Sequence, residues 1–191
     1  MSKLEEKEFF NSSYFKNKKI LVGLNHQISS LARFYGNKIK IGKNVRIDDD
    51  VVLKGKIKIG SNTHIARGCT LSGGQEGITI GNFTSLSNFI QMFAASDDYF
   101  LPYVPAISTL GKKITKKFSK LRINKISIGD CCIIGAMSII LPGGKVASFT
   151  TIGAYSVIYK SIEKGVYYSN RDKKDFKRKR NIIEIKKKLS R

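Results

Sequence analysis

Aliphatic residues recur at every sixth position through the second half of the chain: Ile128, Ile134, Ile140, Val146, Ile152 and Ile158. Six is the period of neither a helix nor a strand. Within each six the fifth place is held by a small or β-branched residue (Cys132, Ser138, Gly144, Thr150, Ser156), and glycine follows the aliphatic at Gly129, Gly135 and Gly153. So short a repeat buries its apolar residue only against the next copy of itself, which is the logic of a solenoid. Three sixes per coil then specify a parallel β-helix. The aliphatic residues fill the inner positions, the fifth residues point into a narrow core, and glycine, Asn or Asp takes the strained backbone of the turns.

The same count runs upstream. Val22, Ile28 and Phe34 are six apart, and after a slip of one residue Ile41, Ile47, Leu53, Ile59, Ile65 and Leu71 continue it, with Val45, Val51, Ile57, Thr63 and Cys69 in the fifth places. A swollen turn, SGGQEG, precedes Ile80, Leu86 and Met92. This gives about five and a half coils. The phase is lost between Phe93 and Lys125, where Pro102 and Pro105 interrupt a stretch without six-residue order, as expected of a long loop leaving a regular body. The chain is therefore divided into a cap over 1–21, a β-helix over 22–160 with its loop at about 93–125, and a basic tail over 161–191. Ser2 and Glu5 match a capping box, which predicts a short N-terminal helix over Lys3 to Phe10; a second short helix is expected near the C-terminus.

Charge adds a second theme. The formal net charge is +21, and it is concentrated: residues 101–125 hold seven basic and no acidic side chains, and residues 160–191 hold thirteen basic against four acidic. Lysine-rich faces are often simply solvated, but such clustering also suits a polyanionic partner: a phosphorylated cofactor, a nucleotide-linked substrate, an acidic protein or an anionic membrane surface. No nucleic-acid motif accompanies the charge. No stretch resembles a signal peptide or a membrane span, so a cytoplasmic protein is expected, with the basic tail able to touch the inner face of the membrane. The three cysteines form no disulfide framework; Cys69 and Cys132 sit in inward fifth places, and Cys131 is expected to be the outward neighbour. Of the two histidines, His26 occupies an inward place, whereas His64 stands sixth in IGSNTH, facing out.

The repeat, the signature IGDCCIIGAMSIILPGGKVASFTTIGAYSVIYKSI and the runs IGKNVRIDDD, HIARGCTLSGGQEGITIGNFTSLS and ASDDYF resemble the left-handed β-helix acyltransferases of the hexapeptide-repeat superfamily, closest to sugar acetyltransferases of surface-polysaccharide biosynthesis. The resemblance covers about Val22 to Lys179. It implies a left-handed, all-β solenoid, a homotrimer, and acetyl-CoA or another acyl-CoA lying in a cleft between subunits, with no metal. The small residues Gly135 and Ala136, and Gly153 and Ala154, would floor the pantetheine arm, with Lys160, Lys177, Arg178 and Arg180 toward the CoA phosphates.

Acyl transfer needs a base for the acceptor proton and a donor for the tetrahedral oxyanion. In better-known relatives the base is a histidine at the start of the long loop, where this chain has Asp97 followed by Asp98. A further departure is YYSNRDKKDFKRKR in place of a Gly-Asn-Pro-Ala-like loop. His64, Asp97 and Asp98 are the catalytic candidates. Three readings follow: O-acetylation of a sugar as the main one, N-acylation of a nucleotide-linked amino sugar, where a weak base suffices, and an idle trimeric scaffold.

Overall fold

The computed structural model describes residues 14–15, 18, 20–36, 38–97, 111, 113, 121–169, 176–179 and 182–190, with backbone alone at 176–179, 182 and 185. Short strands stack in three faces around a filled triangular core. The first face carries β1 (Leu21–Val22), β4 (Ile39–Ile41), the end of β6 (Val52–Ile59), the end of β8 (Thr70–Ile80), β13 (Ile126–Ile128), β16 (Lys145–Val146) and β19 (Ser161–Ile162). The second is β2 (Gln27–Ile28), β5 (Arg46–Ile47), β7 (His64–Ile65), β9 (Ser85–Leu86), β14 (Ile133–Ile134), β17 (Thr151–Ile152) and β20 (Val166–Ser169). The third is β3 (Arg33–Tyr35), the beginnings of β6 and β8, β10 (Gln91–Phe93), β15 (Ile139–Ile140) and β18 (Val157–Ile158).

The coils wind left-handed, and every predicted aliphatic sits in register over its counterpart. On the second face Ile28, Ile47, Ile65, Leu86, Ile134 and Ile152 form one continuous column, ending on Tyr168. The fifth-place residues are buried as expected, and where they are polar they are bonded: Thr63 Oγ1 donates to Gly81 O, Thr84 to Gly129 O and Thr150 to Glu163 O, each at 2.9 Å. A hydroxyl can stand in this core because a corner carbonyl lies within reach, in the next coil for these threonines and in its own for Ser156, which donates to Gly153 O at 2.7 Å.

The corners explain the glycine, asparagine and aspartate spacing. Between the first and second faces, Asn25, Asn44, Asn62, Phe83, Cys131 and Phe149 all have positive φ. From Asn44 onward their N–H groups bond back to the preceding coil, as from Asn62 to Lys43 O at 2.9 Å. One residue earlier a side-chain ladder runs the other way. Lys43 N donates to Ser61 Oγ, Ser61 N to Asn82 Oδ1, Asn82 N to Asp130 Oδ1 and Asp130 N to Ser148 Oγ.

Four features depart from the six-residue count. A seventh coil completes the stack, because the step from Ile158 to Ile162 is four residues and hides it from the repeat; strands in register continue to Ser169 rather than stopping at 160. The swollen turn SGGQEG lies within β8, which carries it around a corner with Gly74 and Gly77 at positive φ. The long insertion leaves as a ribbon, with β11 (Ala95–Asp97) antiparallel to β12 (Leu121–Ile123). Cys131 is buried rather than outward, folded into its corner.

The predicted helix over Lys3 to Phe10 lies outside the described residues. What plugs the first coil is Phe15, buried edge-on against Phe34 and His26, both with centroids 5.5 Å away. At the other end β21 (Phe176–Lys179) folds back antiparallel on β20, and α1 (Ile182–Leu189) brings Lys186 Nζ to 5.9 Å from the Phe149 ring.

Ile134 is fully buried between Leu86 and Ile152. Ile134→Ala should therefore lower the unfolding free energy by about 2–5 kcal/mol in urea titration, and Ile134→Asp should give no cooperative transition, since its charge has no partner in the prism.

Candidate active site

His64 opens β7 on the outward side of the second face. Its Nε2 lies 2.9 Å from Asp48 Oδ2, and the other carboxylate oxygen of Asp48 accepts from Arg46 Nε at 2.8 Å. Stacking brings the three together. Arg46 and His64 are in register across adjacent coils, and Asp48 follows Arg46 by two residues, so all three project from the same side of the sheet. The Asp48 side chain is 14% exposed and that of His64 39%. Burial alone would push the Asp48 carboxyl up, but the hydrogen bonds and charges of His64 and Arg46 outweigh it and hold the carboxyl below its ordinary value. Where Nε2 carries a proton it donates to the Asp48 carboxylate, and Nδ1 is then the ring nitrogen turned away from that anchor. An imidazole anchored by a carboxylate is the arrangement of an oriented general base.

Asp97 ends β11, exposed, opposite Leu121 on the ribbon. Asp98 lies outside the described residues. The ribbon departs from the corner between the third and first faces, whereas His64 stands on the second face; one chain thus carries its two candidate bases on opposite sides of the prism.

Gly135 and Ala136, and Gly153 and Ala154, follow the second-face strands β14 and β17 at the next corner. A Cβ on Gly135 would meet Ala154 N at 2.3 Å, and one on Gly153 would meet Tyr167 Oη at 2.7 Å. Close stacking of the coils is itself sufficient reason for glycine at both places. Lys160 is exposed, with Nζ 5.6 Å from the Tyr168 ring. Lys177 and Arg178 pair through their backbones with Tyr168 and Tyr167; their side chains, and Arg180 altogether, lie outside the described residues. Cys69 is not a nucleophile in waiting: burial pushes its thiol up to about 11.

Asp48 went unremarked as a site residue, although the signal was present. With an 18-residue coil, Arg46 and His64 must stack, and any residue two from Arg46 must neighbour both.

Residues 38–73 match the family described as bacterial transferase hexapeptide (six repeats). Over 146 residues, 74% of this chain and 73% of the relative, the sequence is 32% identical to dTDP-4-amino-4,6-dideoxy-D-glucose acyltransferase of Escherichia coli. The chain belongs to the hexapeptide-repeat acyltransferases. Among solved hexapeptide-repeat structures it is similar to AntD, an N-acyltransferase from Bacillus cereus in complex with dTDP and 3-hydroxybutyryl-CoA, at 31% identity and TM-score 0.84, covering 96% of this chain and 97% of that one. An AntD variant lacking a serine, bound to dTDP-4-amino-4,6-dideoxyglucose and coenzyme A, gives 30% identity and TM-score 0.82 over 96% and 98% of the two chains. A maltose O-acetyltransferase from Clostridium difficile 630, at 18% identity and TM-score 0.51 over 88% and 73%, shares the fold alone. Among the described residues no helix of this acyltransferase is long and apolar enough to cross a membrane.

The lowered carboxyl of Asp48 makes a pH signature. Its contribution to stability is present above the unfolded value of about 3.9 and is lost as pH falls through the lower folded value. Urea midpoints of the wild type and Asp48→Asn should therefore differ at pH 7 and converge in acid. Parallel curves at every pH would show that the Asp48 charge contributes nothing.

Proposed function

We propose that the chain moves an acyl group from an acyl-CoA to the amine of a nucleotide-linked amino sugar. The observation that carries this reading is the agreement with AntD along nearly the whole of both chains, together with an aspartate, Asp97, at the start of the ribbon where a histidine is expected for hydroxyl acceptors. The preference for a hydroxyl is thereby reversed. The relatives at about 30% identity are N-acyltransferases, whereas the O-acetyltransferase speaks for the fold only.

Chemistry favours the same assignment. An amine is far more nucleophilic than a hydroxyl once its proton is gone, so the site must orient the nitrogen and accept one proton rather than force the ionisation of an alcohol. Asp97 can hold the ammonium and then the amine by a charge-assisted hydrogen bond. The ammonium first gives one proton to solvent; as the free amine then attacks the thioester carbon, its second proton passes to a base, the carbon–sulfur bond breaks and the thiolate of CoA departs. We assign the base to His64, oriented by Asp48. Since His64 and Asp97 stand on opposite sides of one prism, they share a site only if they come from different copies, in keeping with the expected trimer. Small residues Gly135, Ala136, Gly153 and Ala154 would then line the path of the pantetheine, and Lys160, Lys177, Arg178 and Arg180 would meet the CoA phosphates.

Thiol release should be measured with an acyl-CoA and dTDP-4-amino-4,6-dideoxyglucose, against the same nucleotide sugar bearing a hydroxyl at the amine position. Turnover with the amine alone is expected; turnover with the hydroxyl alone would overturn the reading. His64→Ala and Asp97→Asn should each lower kcat by roughly two to four powers of ten. Oligomers assembled from a mixture of the two variants should regain activity, because some interfaces then combine an intact His64 with an intact Asp97. Mixed oligomers as inactive as their parents would place the two residues in separate roles.

A further inference from the structure

On the first face, at the foot of the ribbon, lies a hollow of about 620 Å³ that plays no part in the assignments above. Its charged lining is Lys38, Lys40, Lys56, Lys58 and Lys125 against a single Glu76. Two pairs of these lysines are one coil apart, and Lys40 stands directly opposite Lys58 in the parallel ladder. Neighbouring strands are about 4.8 Å apart, and like charges held opposite each other on a sheet destabilise it. Nothing among the described residues compensates: none of the five ammonium groups has an ion-pair or hydrogen-bond partner there, and Glu76 has none either. The floor is pre-shaped. Gly77, at φ +92°, leaves room for the Lys56 stem to lie across it, and the Thr79 hydroxyl follows Lys58 up the column.

We propose that this hollow binds a diphosphate, that of the nucleotide-linked acceptor. The inference rests on the acyl-transfer reading for the identity of the ligand, but not for its charge. A concave site of this volume suits a small molecule, and a net excess of four positive charges requires an anion of more than one charge. Position selects the acceptor over the donor. Lys125 is joined to β12 through Asn124, whose N–H donates to Ala94 O at 2.9 Å, so the hollow opens beneath the strand that carries Asp97. The corner of Gly135 and Gly153, toward which the CoA arm is assigned, lies elsewhere on the prism. A diphosphate held by the lysines would leave the linked sugar extending along the ribbon toward Asp97.

The test is calorimetric titration of the full chain with dTDP, with inorganic pyrophosphate and with CoA, for wild type, Lys40→Ala, Lys58→Ala and the double variant. Each single change should raise the Kd for dTDP about tenfold and the double change more, with a shallower salt dependence. CoA should bind within about twofold of wild type, the alanine side chains being on a solvent face. Thermal melting should be unchanged or raised in the variants, since a like-charge contact is removed. If wild type binds dTDP and the double variant binds it equally well, the hollow is overturned while the acceptor reading stands. If wild type binds pyrophosphate but not dTDP, and the double variant loses pyrophosphate, the diphosphate site holds and the acceptor reading falls. Loss of CoA with dTDP unaffected would overturn the assignment to the acceptor.

Discussion

The backbone hydrogen bond between one coil and the next is the constraint from which the rest of this molecule follows. In a helix the partner lies four residues away; here it lies a full turn of the solenoid away, and no coil satisfies its own N–H and C=O groups. Left-handed winding imposes corners in which the chain must enter the positive-φ region, at a cost of about 1–2 kcal/mol for an ordinary L-residue. The chain offsets this in two ways. It puts asparagine and aspartate at several of those corners, and it ties each corner to its neighbours by a bond in both directions, as Lys43, Asn62, Ser61 and Asn82 show.

Strict stacking also governs the surface. An outward residue has as its neighbour the residue one coil away, so chemistry is written down a column rather than along the sequence. Arg46 and His64 are neighbours because they are stacked, and Asp48 bonds to both because it shares their side of the sheet. Lys40 and Lys58 confront each other by the same rule, with the opposite electrostatic result. A rigid prism cannot relax such a contact by moving a strand, since any shift would break the backbone ladder. The favourable triad and the unfavourable lysine pair are therefore both set by the backbone register, and a bound anion would turn the second from repulsion to attraction.

What could be read from the sequence was whatever obeyed the period. The aliphatic columns and the polar fifth places, Thr63, Thr150 and Ser156 among them, stand where the sixes place them, because burial in a narrow core leaves one permitted orientation. Reading failed where the period changed. The four-residue step to Ile162 concealed a coil; the swollen turn after Leu71 is carried within β8 around a corner; and Cys131, outward by phase, is buried where Asn44, Asn62 and Phe83 at the same corner are exposed. The site was harder than the fold. His64 was visible as an outward histidine, but its partnership with Asp48 depends on coil length as well as phase, and the ribbon carrying Asp97 lies outside the repeat altogether.

The choice between an amine and a hydroxyl acceptor follows from how one prism distributes its bases. An alcohol needs a strong base at the attacking oxygen. Here the ribbon offers an exposed carboxylate, and the imidazole stands on a different face behind an ionised Asp48. A carboxylate is too weak a base for an alcohol but well suited to hold an ammonium, which already carries the charge it complements. In the proposed reading, once the nitrogen is held and free of its first proton, the imidazole of a second copy would take the other. Dividing the two groups between opposite sides leaves one chain without an imidazole beside its ribbon carboxylate, so a site that uses both must be built from two copies, and within a single copy the carboxylate alone suits an amine better than an alcohol.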